Sequence, residues 1–336
     1  EIKQLKPYRR NFLRTLVNFA HNSNKHNMTA VSEYKQKFIE AFREELDELR
    51  DSISCEDGQW TIKGFIDVYR NVYTLSSDTK ILSKILEIHL FPIIFKFAER
   101  IGYKIILTDE QNYYPDLTFQ KIDDESIKFA VDLKTTYRTG KKKDKVGFTL
   151  GSHGKYFHDR YCRKNIQFPY SQYKGHFCLG IVYSVAEDSG EIESDTSELS
   201  VINAKELGQS TDKDTVTRTI VHKDALKSIT SVISDFDFFF SEKWKISSDS
   251  QGSGNTANIG SISDINDIKA EKGVFYQLGE EYFDRYWLNY NNATVLVDGK
   301  PKKVTNIWDF LDSIGEPEKK KLVGNGAKRQ PKKKDA

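Results

Sequence analysis

Lys128-Phe-Ala-Val-Asp-Leu-Lys-Thr-Thr-Tyr137 is the stretch on which the fold turns. Its residues alternate: Phe129, Val131 and Leu133 point one way, Ala130, Asp132 and Lys134 the other, as side chains of a strand must. Asp132 and Lys134 therefore share a face and emerge side by side. Upstream, Tyr114 to Gln120 reads as a neighbouring strand carrying Pro115 and Asp116. Fifteen residues separate Asp116 from Asp132, enough for a hairpin that brings the two carboxylates together.

Around this pair, helices and strands alternate. Tyr34, Phe38, Phe42, Leu46 and Leu49 recur every three to four positions behind Ser32, which predicts an amphipathic helix. Trp60 to Val72 is aromatic and β-branched, the composition of a strand or hairpin. Asp78 to Arg100 forms a second helix that Pro92 should kink or split and Gly102 should end. Strands are expected at Tyr103 to Leu107, Phe177 to Val185 and Phe236 to Ile246, and short helices at Glu280 to Tyr290 and Thr305 to Ile314. Ala186 to about Thr230, rich in Ser, Thr and acids, reads as an insertion or loop. The layout is an extension over 1–32, a folded region over 33–315 and a basic, unstructured tail over 316–336.

Composition narrows the class. Of 336 residues, 38% are hydrophobic and 12% aromatic, ample for a core and incompatible with wholesale disorder. The densest apolar run, Ile88 to Phe95, contains Pro92 and falls far short of the roughly 20 residues a bilayer requires. Cys55, Cys162 and Cys178 are odd in number and widely spaced, which points to a reducing, cytoplasmic compartment. No secretory signal is visible. Net charge is only +2, yet it is unevenly spread: Glu318 to Ala336 carries +6, Lys134 to Lys145 carries +5, and Glu187 to Asp214 carries −7. The basic runs suit phosphates or solvated loops equally.

Two converging carboxylates form a hard oxygen site for Mg²⁺ with room for water and a phosphate, a geometry suited to phosphodiester hydrolysis. A salt bridge across a hairpin satisfies the same spacing. Asp78/Lys80, Asp267/Lys269 and Asp298/Lys300 repeat the D-x-K triplet, but only Asp132/Lys134 lies in an alternating strand beside an earlier Pro-Asp. Gln251 to Asn258 is a Gly/Asn-rich turn. It could read base edges in a groove or simply join two strands. The seven His form no H-E-x-x-H and no Cys/His ligand set, and no G-x-S-x-G occurs, so zinc-hydrolase and serine-triad chemistries find no support.

The segments Ser77 to Ser83, Gln111 to Asp116, Val131 to Tyr137, Phe148 to Gly151 and Gly252 to Ser261, in that order, resemble the EcoRV family of type II restriction endonucleases, within the PD-(D/E)xK nuclease superfamily. The resemblance runs from about Tyr34 to about Ile314. It implies an α/β (mixed α+β) restriction-endonuclease-like fold, with a central mixed sheet flanked by helices. Within it, a catalytic core would span about 73–185, an acidic insert about 186–230 and a DNA-recognition part about 236–315. It further implies a Mg²⁺-dependent homodimer that cuts double-stranded DNA at a palindrome, and a companion DNA methyltransferase that shields the host genome. Asp116 and Asp132 would hold the metal, Lys134 would stabilise charge on the phosphorane, and Glu87 would be an auxiliary acid near a second metal. Gly252, Ser253, Gly254, Asn255, Thr256 and Asn258 fall in the major-groove loop, with Gln111 and Asn112 in a loop approaching the minor groove. Thr79, Lys80, Thr136, Thr149 and Lys164 match phosphate or backbone contacts. Ala257 in place of a second Thr, Tyr113 in place of a His, and the added segments depart from the family pattern. The near-unchanged loop implies GATATC, cut bluntly at its centre. A non-cleaving DNA-binding protein and a nicking or repair nuclease of the same fold are the alternatives.

Overall fold

A computed structural model describes residues 31–108, 110, 112–140, 147–186, 192–194, 200–202, 218–252, 257–297 and 300–328. By internal contacts the chain falls into two units, Glu1–Glu44 and Glu45–Ala336. The expected extension over 1–32 lies almost entirely outside the described residues. The first helix, α1, covers 31–53. A hairpin of β1 (Gly64–Ile66) and β2 (Asn71–Thr74) follows, then α2 (Thr79–Arg100).

Asp78 caps α2, its carboxylate accepting the N–H groups of Lys80 and Ile81. Of the two outcomes expected at Pro92, a kink or a split, the split does not occur: the helix runs unbroken from Thr79 to Arg100. Leu82, Leu86, Leu90, Ile94 and Phe97 are all buried along one stripe, and that packing outweighs the single backbone hydrogen bond proline removes. Gly102, at φ +80°, turns the chain out of the helix.

The core is a five-stranded sheet built from β3 (Tyr103–Ile106), β4 (Leu117–Lys121), β5 (Lys128–Tyr137), β7 (Tyr173–Val185) and β12 (Ile233–Glu242), in the order β12-β7-β5-β4-β3. Only β5 and β7 run parallel. Ala130 and Val131, on opposite faces of β5, are both fully buried, so the strand is covered on two sides from Phe129 to Asp132 and opens to partial exposure at Leu133 and Lys134. Between β5 and β7 lie β6 (Thr149–Ser152) and the one-turn α3 (Lys155–His158).

Two expectations need correction. The 186–230 segment contains strands rather than loop alone: β8 (Ile192–Ser194) pairs with β11 (Leu226–Ile229), and β9 (Ser200–Ile202) and β10 (Arg218–His222) extend the β1–β2 hairpin. Edge pairing with an existing hairpin recruits segments whose polar composition hides their strand character. The tail, too, is ordered through Lys328. A 3₁₀ helix spans Pro317–Leu322, and Gly324 and Asn325 donate backbone hydrogen bonds to Val274 and Lys272. Residues 329–336 lie outside the described set.

A second, three-stranded sheet joins β13 (Ser247–Gln251), β14 (Asn258–Ser261) and β6. The helices α4 (Ile265–Lys269), α5 (Glu280–Asn289) and α6 (Ile307–Ser313), with the hairpin β15 (Thr294–Val297) and β16 (Lys300–Lys303), complete the chain. Phe275, Phe283, Tyr286, Trp287 and Phe310 fill a large aromatic core together with Ile259 of β14 and Leu150 of β6.

Candidate active site and DNA-reading strands

Strand β4 ends its ladder with β5 at Leu117, opposite Val131. One residue beyond the last pair, side chains take over the cross-strand bonding. Leu133 donates its freed N–H to Asp116 Oδ2 at 2.7 Å, and the Asp116 N–H reaches Asp132 Oδ1 at 3.4 Å. The hairpin register thus sets the two carboxylates side by side. Lys134 Nζ stands 3.1 Å from Asp132 Oδ2 and 3.7 Å from Asp116 Oδ2.

Lys243, absent from the expected set, completes the cluster. It follows the end of β12, two residues past Ser241. Ser241 pairs with Cys178, and Cys178 with Asp132. From two strands away Lys243 Nζ reaches Asp132 Oδ2 at 2.9 Å and lies 4.1 Å from the centre of the Tyr114 ring. Gly151 (φ +96°) leaves room for it: a Cβ there would come within 3.2 Å of Nζ. Tyr114 is itself fixed, its hydroxyl bonding His176 Nδ1 at 2.8 Å and its ring stacking on Tyr156. In the sequence Lys243 looks like the charged end of an aromatic strand, so nothing local marks it.

Burial and charge divide the two acids. Burial pushes Asp116 up to about 6, although Lys134 pulls the other way. Burial would raise Asp132 as well, but Lys134 and Lys243 outweigh it and hold that carboxyl well below the usual range. Lys134 is raised because Asp132 and Asp116 overcome its burial. For Lys243 burial wins and its pKa is lowered.

Asp116, Asp132 and Lys134 line a cavity of about 390 Å³ together with Asn112, Tyr113, Lys164 and Asn258. Glu87 does not join them. Its carboxylate pairs with Lys84 at 2.8 Å, and it lines a separate cavity with Thr79, Lys80, Ser83 and Thr136. Among the described residues no three His, Cys, Asp or Glu side chains gather into a metal cage. Two carboxylates with space beside them fit a hard divalent cation that takes its remaining ligands from water and phosphate.

The β13–β14 hairpin reaches the same cavity through Asn258. Gly252 N–H bonds Asn258 O at 3.0 Å, and a Cβ at Gly252 would stand 2.8 Å from Thr149 Cγ2. A Cβ at Gly260 would meet Ser250 O at 2.4 Å. Neither position accepts a side chain. Gln251 Nε2 donates to the buried His153, whose ring packs at a tilt against Trp287. Beneath, the buried Asp249 accepts N–H bonds from Ile307 (3.1 Å) and Lys328 (2.9 Å), and Tyr286 donates to its carbonyl. Gln111 and Ser253 through Thr256 lie outside the described residues.

A mixed sheet with paired aspartates and a lysine at the edge of its parallel strands, beside a glycine-tight hairpin, defines the restriction-endonuclease-like class of nucleases. Residues 56–213 and 207–314 match the family described as "Restriction endonuclease EcoRV". The type II restriction enzyme EcoRV of Escherichia coli is 33% identical over 265 residues, covering 79% of this chain and 96% of the enzyme. The chain belongs to the EcoRV family of type II restriction endonucleases and is a site-specific deoxyribonuclease. Among the described residues no helix is long and apolar enough to cross a membrane.

Proposed function

We propose that the protein acts as a homodimer that cuts both strands of GATATC at its centre, leaving blunt ends, with Mg²⁺ as cofactor. The observation that carries this reading is the meeting of Asp116, Asp132 and Lys134 in one cavity with Asn112 and Asn258, each the last residue of a segment that would read a groove. Asp116 and Asp132 would hold the cation. When bound, it supplies a lowered pKa for its water and a counter-charge for the phosphate. The chain's own work is then positional. Leu133 N–H fixes Asp116, and Lys134 offers an ammonium to the charge that grows on the phosphorane. Glu87 would be an auxiliary acid near a second metal position, and Thr79, Lys80 and Thr136, which line the neighbouring cavity with it, would touch the phosphate backbone.

The recognition reading rests on Gly252, Ser253, Gly254, Asn255, Thr256 and Asn258 in the major groove and Gln111 and Asn112 in the minor groove. Thr149 and Lys164 would touch phosphates and so fix register without specifying sequence. A palindrome cut on both strands calls for two active sites related by a two-fold axis. Exposed Phe65, Ile66, Val68 and Tyr69 on the β1–β2 hairpin supply an apolar surface suited to a second copy. The enzyme would work in the cytoplasm beside a methyltransferase that modifies the same site without touching it.

Plasmid digestion with Mg²⁺, beside an Asp132→Ala control, followed by sequencing of the ends, tests the reading. Blunt ends centred in GATATC support it. Staggered or displaced ends refute the site, open circles that are never linearised indicate a nicking enzyme, and retardation without scission indicates a binding protein.

A further inference from the structure

The catalytic constellation accounts for one lysine, yet Asp132 holds two. Lys243 is 5% exposed, and among the described residues its ammonium has one carboxylate partner, Asp132 Oδ2 at 2.9 Å. Lys134 shares that oxygen at 3.1 Å. The four groups Asp116, Asp132, Lys134 and Lys243 are formally neutral as a set, so the pocket has no net negative charge with which to draw a dication. Lys243 is also not placed by chance. Gly151 vacates its volume, the Tyr114 ring lies against it, and the β12–β7–β5 register aims it at Asp132.

We infer that Lys243 is an internal rival of the divalent cation, a positioning residue that holds Asp132 in place and raises the metal concentration the site needs. The inference rests on the reading of Asp116 and Asp132 as metal ligands. A cation on Asp132 would sit one carboxylate away from the ammonium, at a separation where like charges repel strongly in a partly desolvated pocket. The same contact keeps the Asp132 side chain in register with Asp116 before metal arrives. Removing the charge should therefore strengthen metal binding, whereas a lysine with a purely structural role would, when removed, loosen the site and weaken it.

The experiment measures free Mn²⁺ by electron paramagnetic resonance during titration into the full-length protein without DNA. It compares wild type, K243M, K243R and D116N, with melting curves recorded for each. The expected result is a Kd lower in K243M by about tenfold, a modest share of the available repulsion, with K243R close to wild type and D116N binding little. If K243M lowers the melting temperature, K243Q replaces it as the neutral variant. An unchanged or weaker Kd in the neutral variant, while D116N still abolishes binding, overturns the role of Lys243 and leaves the two-carboxylate site standing. Equal binding by D116N and wild type overturns the metal assignment and this inference with it.

Discussion

Replacing Asp132 by Asn removes the shared anion from between two ammoniums and should unfold the protein far more readily than an isosteric change normally does. Lys134 keeps a partner, Asp116 at 3.7 Å, but Lys243 keeps no carboxylate among the described residues. Taking one member from a buried ion pair costs about 3–5 kcal/mol, because the other charge stays desolvated. The residual polarity of Asn places D132N near the lower end, at about 3 kcal/mol. Urea unfolding followed by circular dichroism measures this as a shift in midpoint at constant slope. The second half of the test adds K243M. The double variant keeps only the Lys134–Asp116 pair, so its stability should return to within about 1 kcal/mol of wild type, while plasmid cleavage stays absent. A D132N protein as stable as wild type, or a double variant no more stable than D132N, would refute the ion-pair reasoning.

Asp116→Asn should behave differently. Because burial already disfavours the charged form, D116N loses cleavage with little loss of stability. A carboxyl whose folded pKa lies above its unfolded value contributes stability at low pH and loses it as pH rises through about 6; wild type should therefore gain stability relative to D116N on acidification from pH 7 to pH 4, as paired melting curves would register. At subsaturating metal, where protons compete with the cation for Asp116, cleavage should fall about tenfold per pH unit below pH 6, a profile obtained from initial rates. Gly252→Ala should weaken specific but not non-specific DNA binding, by roughly 1–3 kcal/mol in competition gel shifts, since Thr149 blocks the added methyl.

Much of this was legible because the fold's decisive strand obeys simple alternation. Phe129 to Lys134 announces β5, and the Pro-Asp upstream announces its hairpin partner, so Asp116, Asp132 and Lys134 could be brought together from spacing alone. Lys243 could not. It lies 111 residues from Asp132 in sequence, and what draws it in is the sheet order β12-β7-β5, a long-range pairing that no local pattern encodes. That Pro92 does not split α2 has a related reason, since five buried apolar side chains hold the helix together around it. The strands within 186–230 and the ordered segment up to Lys328 were missed because polar, lysine-rich sequence reads as solvent-loving. The Asp249 carboxylate that accepts the Lys328 N–H is visible only once β13 is folded.

Since β4 and β5 fix the carboxylates by pairing Leu117 with Val131, the length of the turn at 122–127 is mechanically uncoupled from the chemistry. Relatives, or engineered variants carrying a tag, can lengthen that turn without moving either acid. One residue gained between Asp116 and Leu117, by contrast, would carry the first acid away from the second while leaving the hydrophobic framework intact. Searches for kindred enzymes should therefore weigh where each acid sits on its strand, and disregard how many residues separate them.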